Sequence, residues 1–300
     1  MRTVYLGTSE FAAEVLRVLA GSPHRPALVV TRPDRPRGRG RRLAAPPVAD
    51  AARELGIDLG QPGSVNDEAA RARIAAAQPD TVCVCAFGAL IKDPLLSAHP
   101  MLNVHPSLLP RWRGAAPVER AIMAGDAVTG VSIMRVTAGL DSGPVCLAAP
   151  EPIHAEDTYG TLAGRLAPLG GALLVRALDQ APPFAEQDDD AATYAEKITA
   201  EDRILTGDRP AAELARRVRA LAPHIGAAVL TADGERLGVW AAVAHAAQDG
   251  DPAPGELSLT GAGGRGPVLG GAPGTLELVT VQPAGRTAMA AGAWLRGRRS

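Results

Sequence analysis

The stretch Thr3-Val4-Tyr5-Leu6-Gly7-Thr8-Ser9 decides the fold, because it joins a first strand to a first helix. Its first half is β-branched and apolar, and after Ser9 apolar side chains recur at helical spacing. Further short apolar runs, typical of strands buried on both faces, occur at 27–30, 81–86 and 102–104. Helical patterns lie between them at 48–55 and 67–77. This alternation predicts an α/β fold, a doubly wound and mostly parallel sheet with helices on both faces.

The remainder of the chain divides into a connector and a second domain. Pro182-Pro183 and the acidic run Asp188-Asp189-Asp190 are typical of a solvated linker. Beyond about Thr206, one helical pattern is followed by short strand patterns with glycine-rich breaks, which indicates a small barrel or sandwich. We therefore predict a first domain over 1–180, a linker over 181–205 and a small C-terminal β-rich domain over 206–300.

Composition narrows the class of protein. The chain has 300 residues, 46% of them hydrophobic, and no apolar run approaches the roughly 18 residues of a membrane span, so we expect a soluble protein without membrane attachment. The first apolar stretch is too short for a signal peptide, which indicates a cytoplasmic location. Cys83, Cys85 and Cys146 lack disulfide or metal-ligand spacing, and we interpret them as small buried side chains with no metal bound.

The stretch that carries chemistry is Asn103-Val104-His105-Pro106-Ser107-Leu108-Leu109-Pro110. Alternation along a strand places Asn103 and His105 on one side, at the sheet edge where open α/β proteins bind ligands. Asp141 lies in a glycine-flanked loop between two later strand patterns. An amide donor, an imidazole and a carboxylate are the parts of an acyl-transfer site that has no covalent nucleophile.

Two nucleotide-binding motifs are absent, and one basic segment is present. The first strand is followed by one glycine where a dinucleotide fingerprint needs three, and no phosphate-binding loop motif occurs. Residues 32–42 contain six Arg against one Asp, interleaved with Pro and Gly, which predicts a flexible basic loop. RNA contact and a solvated surface loop are both open explanations of that composition.

These motifs together resemble the folate-dependent formyltransferase family, most closely its members that act on methionyl-tRNA. The resemblance rests on NVHPSLLPRWRGAAP at 103–117, GVSIM at 130–134 and GLDSGPV at 139–145, with GTSEFAA and TRPDRPRGRGRR near the start. It implies a Rossmann-like catalytic domain and an OB-like β-barrel that binds tRNA. It also implies three groups of site residues: catalytic Asn103, His105 and Asp141; folate-binding Ser107, Leu108, Leu109 and Pro110; and tRNA-binding Arg39, Arg41 and Arg42.

The resemblance further implies the reaction, transfer of the formyl group of 10-formyltetrahydrofolate to the α-amine of an initiator methionyl-tRNA by a monomer without metal. Asn103 and His105 would donate to the developing oxyanion, and Asp141 would pair with His105 and help to accept the amine proton. One alternative is a related enzyme that acts on an amino sugar, glycinamide ribonucleotide or water. The other is a non-catalytic RNA-binding protein. The second domain and the arginine-rich segment disfavour the first, and the intact polar residues disfavour the second.

Overall fold

The computed structural model describes residues 1–37, 42–260 and 266–297, which form two compact units. The first unit comprises Met1–Gly114, Val128–Pro152 and Ala163–Tyr194. The second comprises Ala115–Ala127, Ile153–Leu162 and the residues from Ala195 onward. This division differs from the sequence-based boundaries, because two short segments expected in the first domain pack within the second unit. Arg216 Nε donates to the carbonyl of Met123 at 3.2 Å, for example, and the Tyr159 ring stacks on His224 at 3.7 Å.

The first unit is built around a seven-stranded sheet. Its strands are β1 (Thr3–Gly7), β2 (Pro26–Val30), β3 (Arg35–Arg37), β4 (Arg42–Ala44), β5 (Leu59–Gly60), β6 (Thr81–Cys85), β7 (Met101–His105), β8 (Arg113–Gly114), β9 (Val128–Arg135) and β10 (Val145–Pro152). The sheet has the order β10-β9-β7-β6-β1-β2-β5. The five strands from β5 to β7 run parallel, β9 is antiparallel to β7, and β10 is antiparallel to β9. The predicted, mostly parallel α/β sheet is confirmed.

Eight helices accompany the strands in the part of the chain that the structure describes. They are α1 (Glu10–Ala20), α2 (Pro47–Glu54), α3 (Glu68–Ala76), α4 (Leu95–Ala98), α5 (Pro117–Ala124), α6 (Tyr159–Gln180), α7 (Ala211–Leu221) and α8 (Ala291–Arg296). Helix α1 begins where the sequence predicts, because the Ser9 hydroxyl accepts the backbone N–H of Ala12 at 3.2 Å and caps the first turn.

Helix α6 corrects one expectation from composition. It is the one helix among the described residues that is long and apolar enough to span a membrane, whereas no such segment was expected. It is a core helix nonetheless, since Leu166 and Leu174 are fully buried. Two glycines let it approach its neighbours closely: a Cβ at Gly170 would lie 2.8 Å from Val104 Cγ1, and one at Gly171 would lie 2.6 Å from Val18 Cβ.

The second unit contains an antiparallel sheet next to helix α7. After the two-residue β11 (Tyr194–Ala195), its strands are β12 (Ala227–Leu230), β13 (Arg236–His245), β14 (Leu257–Ser258), β15 (Val268–Gly270), β16 (Thr275–Gln282) and β17 (Met289–Ala290). They have the order β12-β13-β16-β15-β14, with β17 against β16. Leu214, Val218 and Leu221 of α7 share one buried cluster with strand residues such as Leu276. The small C-terminal β domain is therefore confirmed and has the form of a half-barrel.

Two cysteines lie in the centre of the first sheet, on β6. Burial raises the pKa of both the Cys83 and the Cys85 thiol to about 12, whereas Cys146 is only half-buried. Because the thiolate is the reactive form, iodoacetamide at pH 8 should leave Cys83 and Cys85 unmodified in the folded protein and label both after unfolding in guanidinium. Peptide mass spectrometry measures this. Rapid labelling of either residue in the folded protein would contradict the buried assignment.

Candidate active site

Strand β7 positions two polar side chains near the carboxyl ends of the parallel strands. Asn103 pairs with Val84 of β6 and Met134 of β9, and His105 pairs with Ser132 of β9. Residues two apart on a strand face the same side, so the structure puts both side chains on one face of the sheet. His105 is 3% exposed, while Asn103 is partly exposed.

Hydrogen bonding sets the protonation of the His105 ring. Its Nε2 lies 2.9 Å from the carbonyl oxygen of Trp112, and a carbonyl oxygen can only accept, so Nε2 carries the proton in the neutral ring. Nδ1 lies 3.6 Å from Asp141 Oδ2, too far for a hydrogen bond but close enough for an ion pair. The neutral ring therefore presents Nδ1 as a proton acceptor. The oxyanion-donor role expected from the sequence requires the protonated ring.

The Asp141 loop connects β9 to β10 and has a constrained backbone. Asp141 itself has a φ of 46°, and its Oδ2 accepts the backbone N–H of Gly114 at 2.9 Å. A Cβ at Gly143 would lie 2.0 Å from the carbonyl oxygen of Arg135, so only glycine fits there. These contacts hold the carboxylate beside His105 at 19% side-chain exposure, open to a small reactant.

Asn103 completes the polar group. Its carboxamide forms no hydrogen bond to any residue in the described part of the chain, although the strand on each side of it is fully paired. A partly exposed, unengaged N–H₂ group at a sheet edge is available to donate to an oxygen of a bound molecule.

The segment expected to bind folate follows directly on β7. Ser107 is completely buried, and its hydroxyl donates to the carbonyl of Arg111 at 2.6 Å, so it holds the turn closed and faces no open space. Leu108 packs against Gly130 of β9. Leu108, Leu109 and Pro110 are all partly exposed, which leaves an apolar surface next to the polar group.

A cavity of about 360 Å³ lies where β1, β2 and β6 end, on the same edge of the sheet. Thr8 and Ser9 line it after β1, Arg32 after β2 and Phe87 after β6. The Arg32 guanidinium is held against the carbonyl oxygen of Gly88. The exposed Arg35 also borders the cavity, which therefore combines a hydroxyl-bearing floor with two cationic side chains.

The arginine-rich segment, expected to be a loop, begins and ends in paired strands. β3 and β4 run antiparallel, with Arg35 opposite Ala44 and the backbone of Arg37 opposite that of Arg42. Arginine and proline do not favour strands, but a tight pairing of two three-residue segments satisfies their backbone groups. Arg39 and Arg41 lie outside the described residues, and Arg42 begins β4.

Several contributors to the site could not be recognised from residue types. The Trp112 carbonyl and the Gly114 N–H are backbone groups, which any residue supplies. Ser132 is a hidden brace: its hydroxyl donates to the Ser107 carbonyl at 2.8 Å and accepts the Leu109 N–H at 3.1 Å. Its position within GVSIM was the only sequence signal. Within residues 1–37, 42–260 and 266–297, no group of three His, Cys, Asp or Glu side chains is arranged to hold a metal ion.

Comparison with protein families covers nearly the whole chain. The model described as formyl transferase matches residues 1–178, and the model described as formyl transferase, C-terminal domain, matches residues 197–299. The chain belongs to the formyl transferase family. The site described above lies within the first matched region, and the half-barrel lies within the second.

Individual formyl transferases show the same extent of similarity. A methionyl-tRNA formyltransferase of Delftia acidovorans is 43% identical over 99% of this chain and 94% of its own length. Another from Ruegeria pomeroyi is 40% identical over 99% of this chain and 97% of its own. An N-formyltransferase of Helicobacter canadensis, solved with folinic acid and dTDP-3-aminofucose, has a TM-score of 0.66 at 12% identity over 93% of this chain and 99% of its own. That last likeness concerns the fold alone.

Proposed function

We propose that the chain transfers the formyl group of 10-formyltetrahydrofolate to the α-amine of an initiator methionyl-tRNA. The observation that carries this proposal is the convergence of Asn103, His105 and Asp141 at one sheet edge, in a chain about 40% identical to full-length methionyl-tRNA formyltransferases. Folate serves as the formyl donor and tRNA as the carrier of the acceptor. A monomeric, cytoplasmic enzyme stays a prediction from the sequence.

The reaction needs positioning more than activation of the nucleophile. 10-Formyltetrahydrofolate supplies a carbonyl carbon that an amine can attack, and departs as tetrahydrofolate. The α-amine titrates near pH 7.7 when free, so about a fifth or more of it is neutral at neutral pH. Holding the neutral amine next to the formyl carbon is then the largest contribution that a protein can make before bonds change.

Each polar residue has a task in the transfer. The Asn103 carboxamide donates to the formyl oxygen as negative charge develops on it. His105 Nδ1 takes the proton that the amine loses on forming the new N–C bond, and Asp141 stabilises the resulting imidazolium from 3.6 Å. His105 then returns that proton to the departing folate nitrogen as the old N–C bond breaks, so the enzyme ends in its starting protonation state. The protonated ring can also assist Asn103 at the oxygen.

The surroundings fit both substrates. The partly exposed Leu108, Leu109 and Pro110 offer apolar contact for a pterin ring beside the polar residues. The cavity bordered by Arg32 and Arg35 is large enough for the aminoacyl end of a tRNA and carries charge that suits its phosphates. Arg39, Arg41 and Arg42 continue the same basic segment, and we assign them to the acceptor stem.

The deciding experiment is a formyl-transfer assay with four acceptors in parallel: charged initiator methionyl-tRNA, uncharged tRNA, glycinamide ribonucleotide with an amino sugar, and buffer alone. We expect formylmethionine only with the charged tRNA, and equal release of tetrahydrofolate. Tetrahydrofolate released in buffer alone would identify a hydrolase. Formylation of the small amines would identify a sister transferase and refute the tRNA assignment.

A further inference from the structure

Residues 185–193, here called the clasp, fasten the loop that carries Asp141. The sequence predicts a solvated linker in this region, and the Asp189 side chain is indeed 81% exposed. The clasp is nevertheless bonded to the site along its length. Ala185 and Val145 exchange two backbone hydrogen bonds, of 2.9 and 2.8 Å, directly after the Asp141 loop. Thr193 accepts the backbone N–H groups of Trp112 and Arg113, through its hydroxyl and its carbonyl.

Gln187 is the centre of the clasp. Its side-chain Nε2 donates to two carbonyl oxygens of the Asp141 loop, that of Asp141 at 2.9 Å and that of Gly143 at 2.7 Å. Its Oε1 accepts Nε of Arg113 at 2.9 Å. Because two carbonyls need a donor and a guanidinium needs an acceptor, only one orientation of the Gln187 amide satisfies all three contacts.

The contacts close a ring around the catalytic carboxylate. Arg113 is 3% exposed, and its Nη2 binds Asp189 at 2.7 Å, so it is fixed within the clasp. The next residue, Gly114, supplies the N–H that holds the Asp141 carboxylate. Gln187 thus holds the backbone of Asp141 directly, and through Arg113 it steadies the segment that holds the Asp141 side chain.

We propose that Gln187 is a positioning residue for formyl transfer, which acts by keeping Asp141 at its distance from His105. This inference rests on the proposed function and deepens it. Asp141 occupies a left-handed backbone conformation that an L-residue adopts only when its surroundings impose it. The two bonds from Gln187 to the carbonyls of Asp141 and Gly143 supply that constraint. Losing them lets the loop relax and moves the carboxylate away from the imidazole.

Two substitutions separate the contacts. Gln187→Met keeps the length of the side chain but removes every hydrogen bond. Gln187→Glu keeps an acceptor for Arg113 but cannot donate to the loop carbonyls. We expect each to lower kcat by at least about tenfold, with the KM for folate and for tRNA changed by less than about twofold. Gln180→Met, on an exposed glutamine at the end of α6, is the matched control and keeps the wild-type rate.

The decisive readout is non-additivity with Asp141. If Gln187 acts through the carboxylate, Gln187→Met in an Asp141→Asn background changes the residual rate by less than about twofold. A general structural role would instead reduce the rate by the same factor in both backgrounds, and that result would overturn the proposal. So would a wild-type kcat in either single variant. Thermal unfolding verifies that each variant is folded. An inactive wild-type protein refutes the proposed function, whereas active wild type with an equally active Gln187→Met refutes only this inference.

Discussion

Replacing Asp141 with Asn lowers the turnover number for formyl transfer by about 10³-fold, within the range that positioned acid–base groups contribute. The amide oxygen of asparagine can still accept the N–H of Gly114, so the loop keeps its anchor. What is lost is the negative charge 3.6 Å from His105 Nδ1, which stabilises the imidazolium while it holds the amine proton. Steady-state assays at saturating folate and tRNA measure the effect as a fall in kcat.

Asp80→Asn is the matched control for this change. Asp80 also accepts a backbone N–H, that of Arg2 at 2.8 Å, but lies at an exposed position outside the site. It should keep wild-type kcat and substrate affinity. A fall of less than about tenfold in Asp141→Asn would show that His105 manages the proton without a counter-charge, and the role given to Asp141 would be wrong.

The triple substitution of Arg39, Arg41 and Arg42 by Ala reduces kcat/KM for tRNA by about 100-fold at low salt, if each arginine meets one phosphate of the acceptor stem. Each lost contact releases fewer counterions, so the slope of log(kcat/KM) against log salt falls by about two to three. The KM for 10-formyltetrahydrofolate stays the same, because the folate surface proposed at Leu108 and Leu109 is a different part of the site.

A second triple variant separates local contacts from overall charge. Arg53, Arg73 and Arg176 are exposed arginines of the same unit, and their replacement by Ala removes the same three charges. This variant should retain nearly all of its tRNA-dependent turnover and its salt slope. Equal losses in the two triple variants would mean that net charge attracts tRNA, and the basic segment would revert to a solvated surface.

Regular elements with strong local patterns could be predicted from the sequence. The strands at Pro26–Val30 and Thr81–Cys85 are continuous apolar runs, and Ser9 marks the start of α1, so short-range physics suffices for them. Helix α5 was not predicted because its eight residues contain only two turns of pattern. Strands β3 and β4 were missed for another reason: their stability comes from pairing, which their arginines and prolines do not signal.

The candidate site divides in the same way. Alternation along β7 places Asn103 and His105 on one face without any tertiary information. Gln187 contacts a loop 44 to 46 residues away, and its neighbours in the sequence are exposed and acidic. Nothing local distinguishes it from a solvated glutamine. Contacts of that separation depend on the register of β10 against the clasp, which only the folded chain defines.

The clasp also bears on how this enzyme could be divided or recombined. The first family match ends at residue 178, which invites an excision of the N-terminal half as a free-standing module. Such a fragment would keep Asn103, His105 and Asp141 but lack Gln187 and Thr193. The modular boundary that matters for chemistry therefore lies beyond Thr193, and chimaeras that exchange the C-terminal half should be joined after that residue.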